Sequence, residues 1–428
     1  MIPNTTAGAA GAGRAAPFRI KITVLALAIF LGTYFVLAVG GFPGLRLDRT
    51  GAAIIGASLM IGLDVLTFDE AMQAVDYSTL VLLLGMMIVV ANLRLSGFFR
   101  LVASWAVRHA HVPTTLLGAV VAVAGVLSAF FVNDTICLVL TPLVLEVTER
   151  LRRNPLPYLL AIAMAANAGS VATLTGNPQN MMIGSLSGLS YRAFATALAP
   201  VAAFSLVITF LVIMLMFPGE FRREHIEIPE VRIRINRVLM WKALAISSGM
   251  IAMFFSGWPV AKVAIVAGAL LLITKRVKPE KVYHEIDWQL LIMFAGLFIV
   301  VAGFEKTTFE EDIIAFASRF RLDHIPVLAA FSAAISNVVS NVPAVLLFAP
   351  LVRRLADPAT GWLALAMSST LAGNLTLVGS VANLIVVERA RLHVRISFWD
   401  YLRVGLVVTF LTVTWGVLWL SLARKWLP

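Results

Sequence analysis

Three polar residues lie together in one of the most apolar stretches of the chain. The segment FFVNDTICLVLTP, residues 130–142, contains Asn133, Asp134 and Thr135 side by side. A carboxylate is costly in hydrocarbon, so an ionisable residue at membrane depth indicates function by default. A carboxyl group held away from water can also bind and release a proton, and we predict a proton-coupling or solute-polarising role for Asp134. The alternative is a hairpin tip that faces water, where a charge costs little.

Four polar interruptions of this kind occur, two in each half of the chain. They are built from small and amide-bearing residues beside Gly or Pro, which break the helical hydrogen-bond ladder. Backbone freed in this way survives at membrane depth only where it is buried in protein or lines a cavity. Such breaks expose half-helix ends that suit a small, oxygen-rich solute. The predicted substrate-binding residues are Asn133, Thr135, Thr175, Asn177, Asn180, Ser340, Asn341, Asn374, Thr376, Ser380 and Asn383.

Each of these residues also has a purely structural interpretation. A single Asn or Thr in a membrane helix more often joins neighbouring helices than binds a ligand. The repetition of the pattern beside a helix breaker in both halves favours a central binding site instead.

The composition of the chain indicates that these residues belong to a membrane protein. The chain has 428 residues, of which 60% are hydrophobic and 13% charged, whereas a soluble domain carries about 25% charged residues. Several apolar runs approach the roughly 20 residues that a helix needs to cross a bilayer. The net charge of +11 comes from short Lys and Arg clusters between these runs, which orient a membrane protein and do not indicate a nucleic-acid partner. We predict an all-α, multi-pass protein of the cell inner (plasma) membrane.

The chain matches itself in three segments that occur in the same order in both halves. The alignments pair Gly85 with Gly296, Asn133 with Asn341, and Gly176 with Gly379. A duplicated half explains three such matches far better than chance does. The predicted organisation is a disordered tail at residues 1–18, a first repeat at 19–218, a cytoplasmic central loop at 219–237 and a second repeat at 238–428.

The distribution of Lys and Arg predicts how the halves are oriented. With about five spans, a re-entrant hairpin and a broken helix in each half, most basic clusters fall on the cytoplasmic side, as the positive-inside rule requires. An odd number of spans places the second half upside down relative to the first. Inverted repeats of this kind recur in secondary transporters.

The chain lacks the residues that an enzyme, a metalloprotein or an ATP-driven pump would need. Cys137 is the only cysteine, and one thiolate cannot build a multidentate metal site, so we interpret it as a packing residue. The six histidines are scattered without metal-ligand spacing, and no phosphate-binding loop of the GxxxxGK[ST] type is present. We therefore predict neither an enzyme nor an ATP-driven pump, and no metal or organic cofactor.

Four segments resemble the signatures of the ion transporter superfamily. They are NDTICLVLTPLV, NAGSVATLTGNPQNMMI, SNVVSNVPAVLLFAPLV and GSVANLIVVERA. This superfamily includes arsenite/antimonite efflux permeases, anion permeases and sodium-coupled dicarboxylate and citrate carriers. The resemblance implies two re-entrant hairpins, two broken helices, a homodimer and an elevator motion. It also implies that solute binds between the hairpin tips at residues 133–135 and 340–343.

The tips differ from those of the sodium-coupled carboxylate carriers, which have Ser-Asn-Thr at both. Here Asp134 follows Asn133, and Val342 occupies the matched position. The aspartate resembles the arsenite permease and anion permease branch. A fixed negative charge repels a carboxylate solute but accepts hydrogen bonds from a neutral hydroxy acid such as arsenous acid.

The resemblance therefore implies proton-coupled efflux of arsenite or antimonite. Two alternatives stay open: transport of another small anion, including sodium-coupled di- or tricarboxylate symport, and sodium/proton antiport. The expected coupling ion is H⁺, with Na⁺ as the alternative. The sequence leaves open whether a partner ATPase associates with the chain.

Overall fold

The computed structural model describes residues 12–40, 46–222, 235–275, 277–306, 315 and 319–423. All regular elements among these residues are helical. The first helix begins at Ala12, so it includes residues 12–18, which the sequence predicts to be a disordered tail; the rest of that tail lies outside the described residues. The predicted central loop is described only at its two ends, residues 219–222 and 235–236, before a helix begins at Arg237.

The helices follow one another closely along the first half of the chain. In order they are α1 (Ala12–Val39), α2 (Arg49–Gly62), α3 (Phe68–Ala74), α4 (Tyr77–Ser96), α5 (Phe98–Arg108), α6 (Pro113–Phe130), α7 (Asn133–Arg150), α8 (Leu156–Ser170), α9 (Pro178–Ser187) and α10 (Tyr191–Met216).

The second half has a similar order of long and short helices. They are α11 (Arg237–Phe255), α12 (Val260–Leu272), α13 (Pro279–Tyr283), α14 (Trp288–Glu305), α15 (Ile325–Val339), α16 (Asn341–Val352), α17 (Pro358–Ala372), a 3₁₀ turn (Leu377–Gly379), α18 (Val381–Ala390) and α19 (Phe398–Ala423).

Seven helices in the described residues are long and apolar enough to cross a membrane. Their spans are Ile22–Val39, Tyr77–Ser96, Pro113–Phe130, Tyr191–Met216, Arg237–Phe255, Trp288–Glu305 and Phe398–Ala423. Shorter apolar helices, which include α2, α8, α12, α15 and α16, lie between them. An all-α, multi-pass membrane protein is therefore confirmed.

The chain forms two compact units. One comprises residues 1–76 and 288–320, and the other comprises residues 77–287 and 321–428. Each unit takes helices from both halves of the chain, so the units cut across the predicted repeats. The second unit contains both hairpins and both broken helices.

Matched glycines hold equivalent helix pairs together in the two units. In the first unit Gly296 of α14 lies against α2, where a Cβ would approach the backbone of Ala53 to 2.8 Å. In the second unit Gly85 of α4 lies against α12, where a Cβ would approach the carbonyl carbon of Ala264 to 2.5 Å. A duplicated half accounts for this correspondence, because each pair joins a helix of one half to a helix of the other. The inverted orientation of the halves stays a prediction.

The first unit also contains an ion pair between two exposed side chains, Lys306 and Glu70. Lys306 Nζ lies 2.7 Å from both carboxylate oxygens of Glu70, which also accepts from the backbone N–H of Thr67 at the start of α3. The hydrogen bond from Lys306, followed by that from Thr67, lowers the pKa of Glu70 to about 2.

The core of the second unit consists of α8 and α17, whose residues are buried along almost their whole length. The hairpin of α6 and α7 packs on α8, and the hairpin of α15 and α16 packs on α17. Helix α10 also packs on α8, and α19 packs on α17. Two matched sets of helices thus surround a pair of buried central helices.

Replacement of Gly85 tests the close helix contact. We expect Gly85→Ala to lower the melting temperature in detergent, because the new methyl group would collide with backbone of α12 that cannot rotate away. Gly249→Ala is the matched control, since Gly249 has no neighbouring atom within 4 Å of the Cβ position and Ala favours a helix by about 1 kcal/mol over Gly. Thermal unfolding of the purified protein measures both; an unchanged or higher value for Gly85→Ala would contradict the packing.

Candidate functional site

Both hairpin tips bond to a matched glycine carbonyl. Helix α6 ends at Phe130, two residues run on in non-helical conformation, and α7 starts at Asn133, whose backbone N–H donates to Gly176 O at 3.1 Å. At the second tip, the amide of Asn341 is assigned the orientation that satisfies its neighbours, in which Nδ2 faces Ser336 Oγ at 2.6 Å, Ser369 O at 3.1 Å and Gly379 O at 3.2 Å. Each hairpin tip is thereby attached to the broken helix of its own half.

The second tip turns within a single residue. Ser340 separates α15 from α16 and has φ +79° and ψ 160°, a region that a side chain rarely occupies. The hydrogen bond of Asn341, next in the chain, holds this strained residue in place.

Two aligned asparagines close the breaks in the central helices. After α8 the chain is irregular until Asn177 caps α9, with Pro178 at the first helical position. Asn180 Nδ2 donates to the carbonyls of Ser170 and Thr173, both at 3.0 Å. A buried carbonyl without a partner is costly, so each donation stabilises the break.

The same arrangement recurs after α17. Asn383 Nδ2 donates to Gly373 O at 2.7 Å and to Thr376 O at 3.0 Å. Gly373 and Thr376 align with Ser170 and Thr173 of the first half. The amide nitrogens of the two predicted ligands Asn180 and Asn383 are thus used to hold the backbone.

Asn167, in the last turn of α8, joins the two halves. Its Oδ1 accepts from Asn133 Nδ2 at 3.0 Å and from Ser380 Oγ at 3.1 Å. Its Nδ2 donates to Asn374 Oδ1 at 2.9 Å and to Asn383 Oδ1 at 3.1 Å. All four bonding positions of this fully buried amide are therefore filled.

Thr370 has the corresponding role in α17. Its hydroxyl accepts from Asn177 Nδ2 at 3.3 Å and from Gln179 Nε2 at 3.1 Å. Gln179 Nε2 also donates to the amide oxygen of Asn341 at 3.2 Å. Each central helix thus contributes one polar side chain to the broken helix of the other half.

Two acceptors of the first half stay without a protein partner. Asn133 Oδ1 and Asn180 Oδ1 are buried, and no donor among the described residues bonds to either of them. Their counterparts in the second half are satisfied, Asn383 by Asn167 and Asn341 by Gln179. The matched asparagines are therefore asymmetric, because the unpartnered amide oxygens belong to the first half of the chain.

Asp134 lies outside this amide network. It is half-buried in the first turn of α7, and within the described part of the chain its carboxylate makes no hydrogen bond or ion pair. A carboxylate in the first turn offsets the positive end of the helix dipole. The matched helix α16 has Val342 at this position and keeps its positive end.

Two of the three predicted threonines bond to side chains outside the set of predicted substrate-binding residues. Thr175 Oγ1 is 3.0 Å from the hydroxyl of Tyr191, and Thr376 donates to Asn337 Oδ1 at 3.1 Å. Thr135 is half-buried beside Asp134. Cys137 is fully buried, with its thiol 4.0 Å from Ile162 O, as a packing residue would be.

Sequence reasoning missed Asn167, Thr370 and Gln179. Asn167 and Thr370 align with each other, but they differ in type and precede the breaks, so neither stands out as part of a repeated motif. One signal could have identified Asn167, since it is the only amide in the apolar run AIAMAANAG. A buried amide needs hydrogen-bond partners, so this residue could have been predicted to bond to other helices.

These features together define a membrane transporter. The chain has helices that can span the membrane, and its paired hairpins and paired helix breaks meet in one buried centre. Residues 33–372 match the citrate transporter family (CitMHS). The chain belongs to this family, within the ion transporter superfamily, and is a transporter, not an enzyme.

Individual relatives cover almost the whole chain. The rice silicon efflux transporter LSI3 is 30% identical over 464 aligned residues, which cover 91% of this chain and 96% of the relative. The putative transporter arsB of Dictyostelium discoideum is 24% identical and covers 87% of each chain. The crystal structure of the YdaH transporter of Alcanivorax borkumensis has a similar fold, with a TM-score of 0.61 at 14% identity over 95% of this chain and 98% of that one.

Removal of the Asn167 amide tests the centre. We expect Asn167→Ala to lower the stability by about 2 kcal/mol, since four interhelical hydrogen bonds of about 0.6 kcal/mol each are lost. The control is Thr196→Ala, which removes only a bond within one exposed turn, to Ala193 O. Thermal unfolding in detergent measures the difference; equal melting temperatures for the two variants would show that Asn167 does not join the halves.

Proposed function

We propose that this transporter exports a small, uncharged hydroxy acid, with arsenite or antimonite as the leading solute and H⁺ as the coupling ion. The observation that carries the proposal is the pair of unpartnered buried acceptors, Asn133 Oδ1 and Asn180 Oδ1. An uncharged solute with several O–H groups donates hydrogen bonds to such acceptors and needs no cationic partner.

The donors of the centre support the same class of solute. The amide nitrogens of Asn133, Asn177, Asn180, Asn374 and Asn383 all donate within the protein. A di- or tricarboxylate would need free donors or cations to replace its hydration. It would also approach the negative charge of Asp134.

The names of two relatives are consistent with this solute class. One is named a silicon efflux transporter and another a putative transporter arsB. Silicon and trivalent arsenic both occur in neutral water as uncharged hydroxy acids, so one binding centre can accept both kinds of solute. The family name, citrate transporter, favours carboxylate transport as the second candidate.

Asp134 is the proposed coupling residue. Its carboxylate is half-buried in the first turn of α7 and has no ion-pair partner among the described residues. Protonation would remove an unpaired charge from this position, which makes the side chain a suitable carrier of one proton per transport cycle. Inward movement of H⁺ would then drive outward movement of the solute.

Transport in everted membrane vesicles tests the solute and the coupling together. With a proton gradient imposed, we expect vesicles that contain the protein to accumulate arsenite, and Asp134→Asn to abolish the response to the gradient. Asp69→Asn is the matched control, because Asp69 is an exposed carboxylate in α3. Arsenite uptake that is equal with and without the protein, together with sodium-driven citrate uptake, would replace this proposal by the carboxylate symporter; sodium/proton exchange without either solute would indicate the antiporter.

The resemblance further implies a homodimer with an elevator motion, and we keep both as parts of the proposal. A partner ATPase is a separate possibility. Arsenite uptake driven by a proton gradient in vesicles that contain this chain alone would show that no ATPase is needed.

A further inference from the structure

An arginine-lined cleft in the second unit lies away from the amide centre. It has a volume of about 320 Å³, and Arg94 of α4, Arg100 of α5 and Arg389 of α18 line it together with Glu285 and one face of α7. The α7 face consists of Leu138, Val139 and Pro142. Three arginines from three separate helices thus converge on one concave surface with an apolar wall.

The charges of the cleft do not cancel. Arg94 forms an ion pair with Glu285, which uses the only carboxylate among the lining residues of the cleft. Arg100 and Arg389 are exposed and make no ion pair within the described part of the chain. The nearby carboxylate of Glu388 lies 2.7 Å from Arg391 and is engaged there. Two guanidinium groups therefore remain unmatched.

We propose that this cleft binds a phosphate group. A planar guanidinium presents paired N–H donors that match the oxygens of phosphate, and two unmatched arginines suit a dianion. The apolar wall on α7 would adjoin a lipid tail if the phosphate is that of a headgroup, since basic pockets between membrane helices bind anionic lipids. The alternative source is free inorganic phosphate. The proposal does not depend on the transported solute.

Thermal stabilisation of the purified full-length protein tests the cleft. A ligand that binds only the folded state raises the melting temperature in a concentration-dependent manner. We expect inorganic phosphate, compared with chloride at equal ionic strength, or phosphatidylglycerol, compared with phosphatidylcholine in mixed micelles, to give a saturable increase. Saturation by free phosphate would identify the soluble ligand; a response to phosphatidylglycerol alone would identify the headgroup.

Variants decide whether the increase arises in the cleft. In Arg100→Ala/Arg389→Ala we expect at least a tenfold higher concentration for half-maximal stabilisation, with partial recovery in Arg100→Lys/Arg389→Lys. The control Arg192→Ala/Arg403→Ala removes the same charge from exposed positions on α10 and α19. The single variant Arg389→Gln serves if the double variant does not fold. No stabilisation by either ligand, or an equal response in the double variant and the control, would overturn the proposal.

Discussion

The structure depends on one constraint: backbone carbonyls and amides released inside an apolar helix bundle must find partners within the protein. Water cannot supply these partners at membrane depth. Both central helices, α8 and α17, end in a break that frees backbone carbonyls. Asn180 bonds two of these carbonyls after α8, and Asn383 bonds two after α17. Asn167 and Thr370 then join each break to the other half. The site can be irregular because Asn180 and Asn383 satisfy freed backbone carbonyls, while Asn167 and Thr370 bind polar side chains at the breaks.

The two halves satisfy their freed backbone carbonyls in the same way, but they differ in which amide oxygens remain without a partner. In the second half the amide oxygens of Asn383 and Asn341 have donors. In the first half Asn133 and Asn180 keep unpartnered oxygens, and Asp134 is a carboxylate where the matched position of the second half is Val342. The residues that match between the halves therefore form the scaffold, whereas the positions that differ carry the proposed chemistry. Unpartnered acceptors and a carboxylate in the first half favour a solute that donates hydrogen bonds.

Much of the architecture could be predicted from the sequence. Gly and Pro next to amides located the breaks, and self-alignment paired Gly85 with Gly296 and Asn180 with Asn383, because repeated backbone geometry demands repeated residue types. The partners of a buried amide are harder to predict, since they depend on contacts between helices far apart in the chain. Asn167 was missed for that reason. Thr175 bonds to Tyr191, a partner that the sequence did not indicate, and its role at the solute stays a prediction.

The location of bound solute tests this account most directly. A cryo-electron microscopy map of the protein in lipid nanodiscs with arsenite would be compared with maps obtained with citrate and without solute. The account predicts new density within hydrogen-bond distance of Asn133 Oδ1 at the first hairpin tip, with arsenite and not with citrate. Density for citrate at that tip, or arsenite density found only away from both hairpin tips, would contradict it.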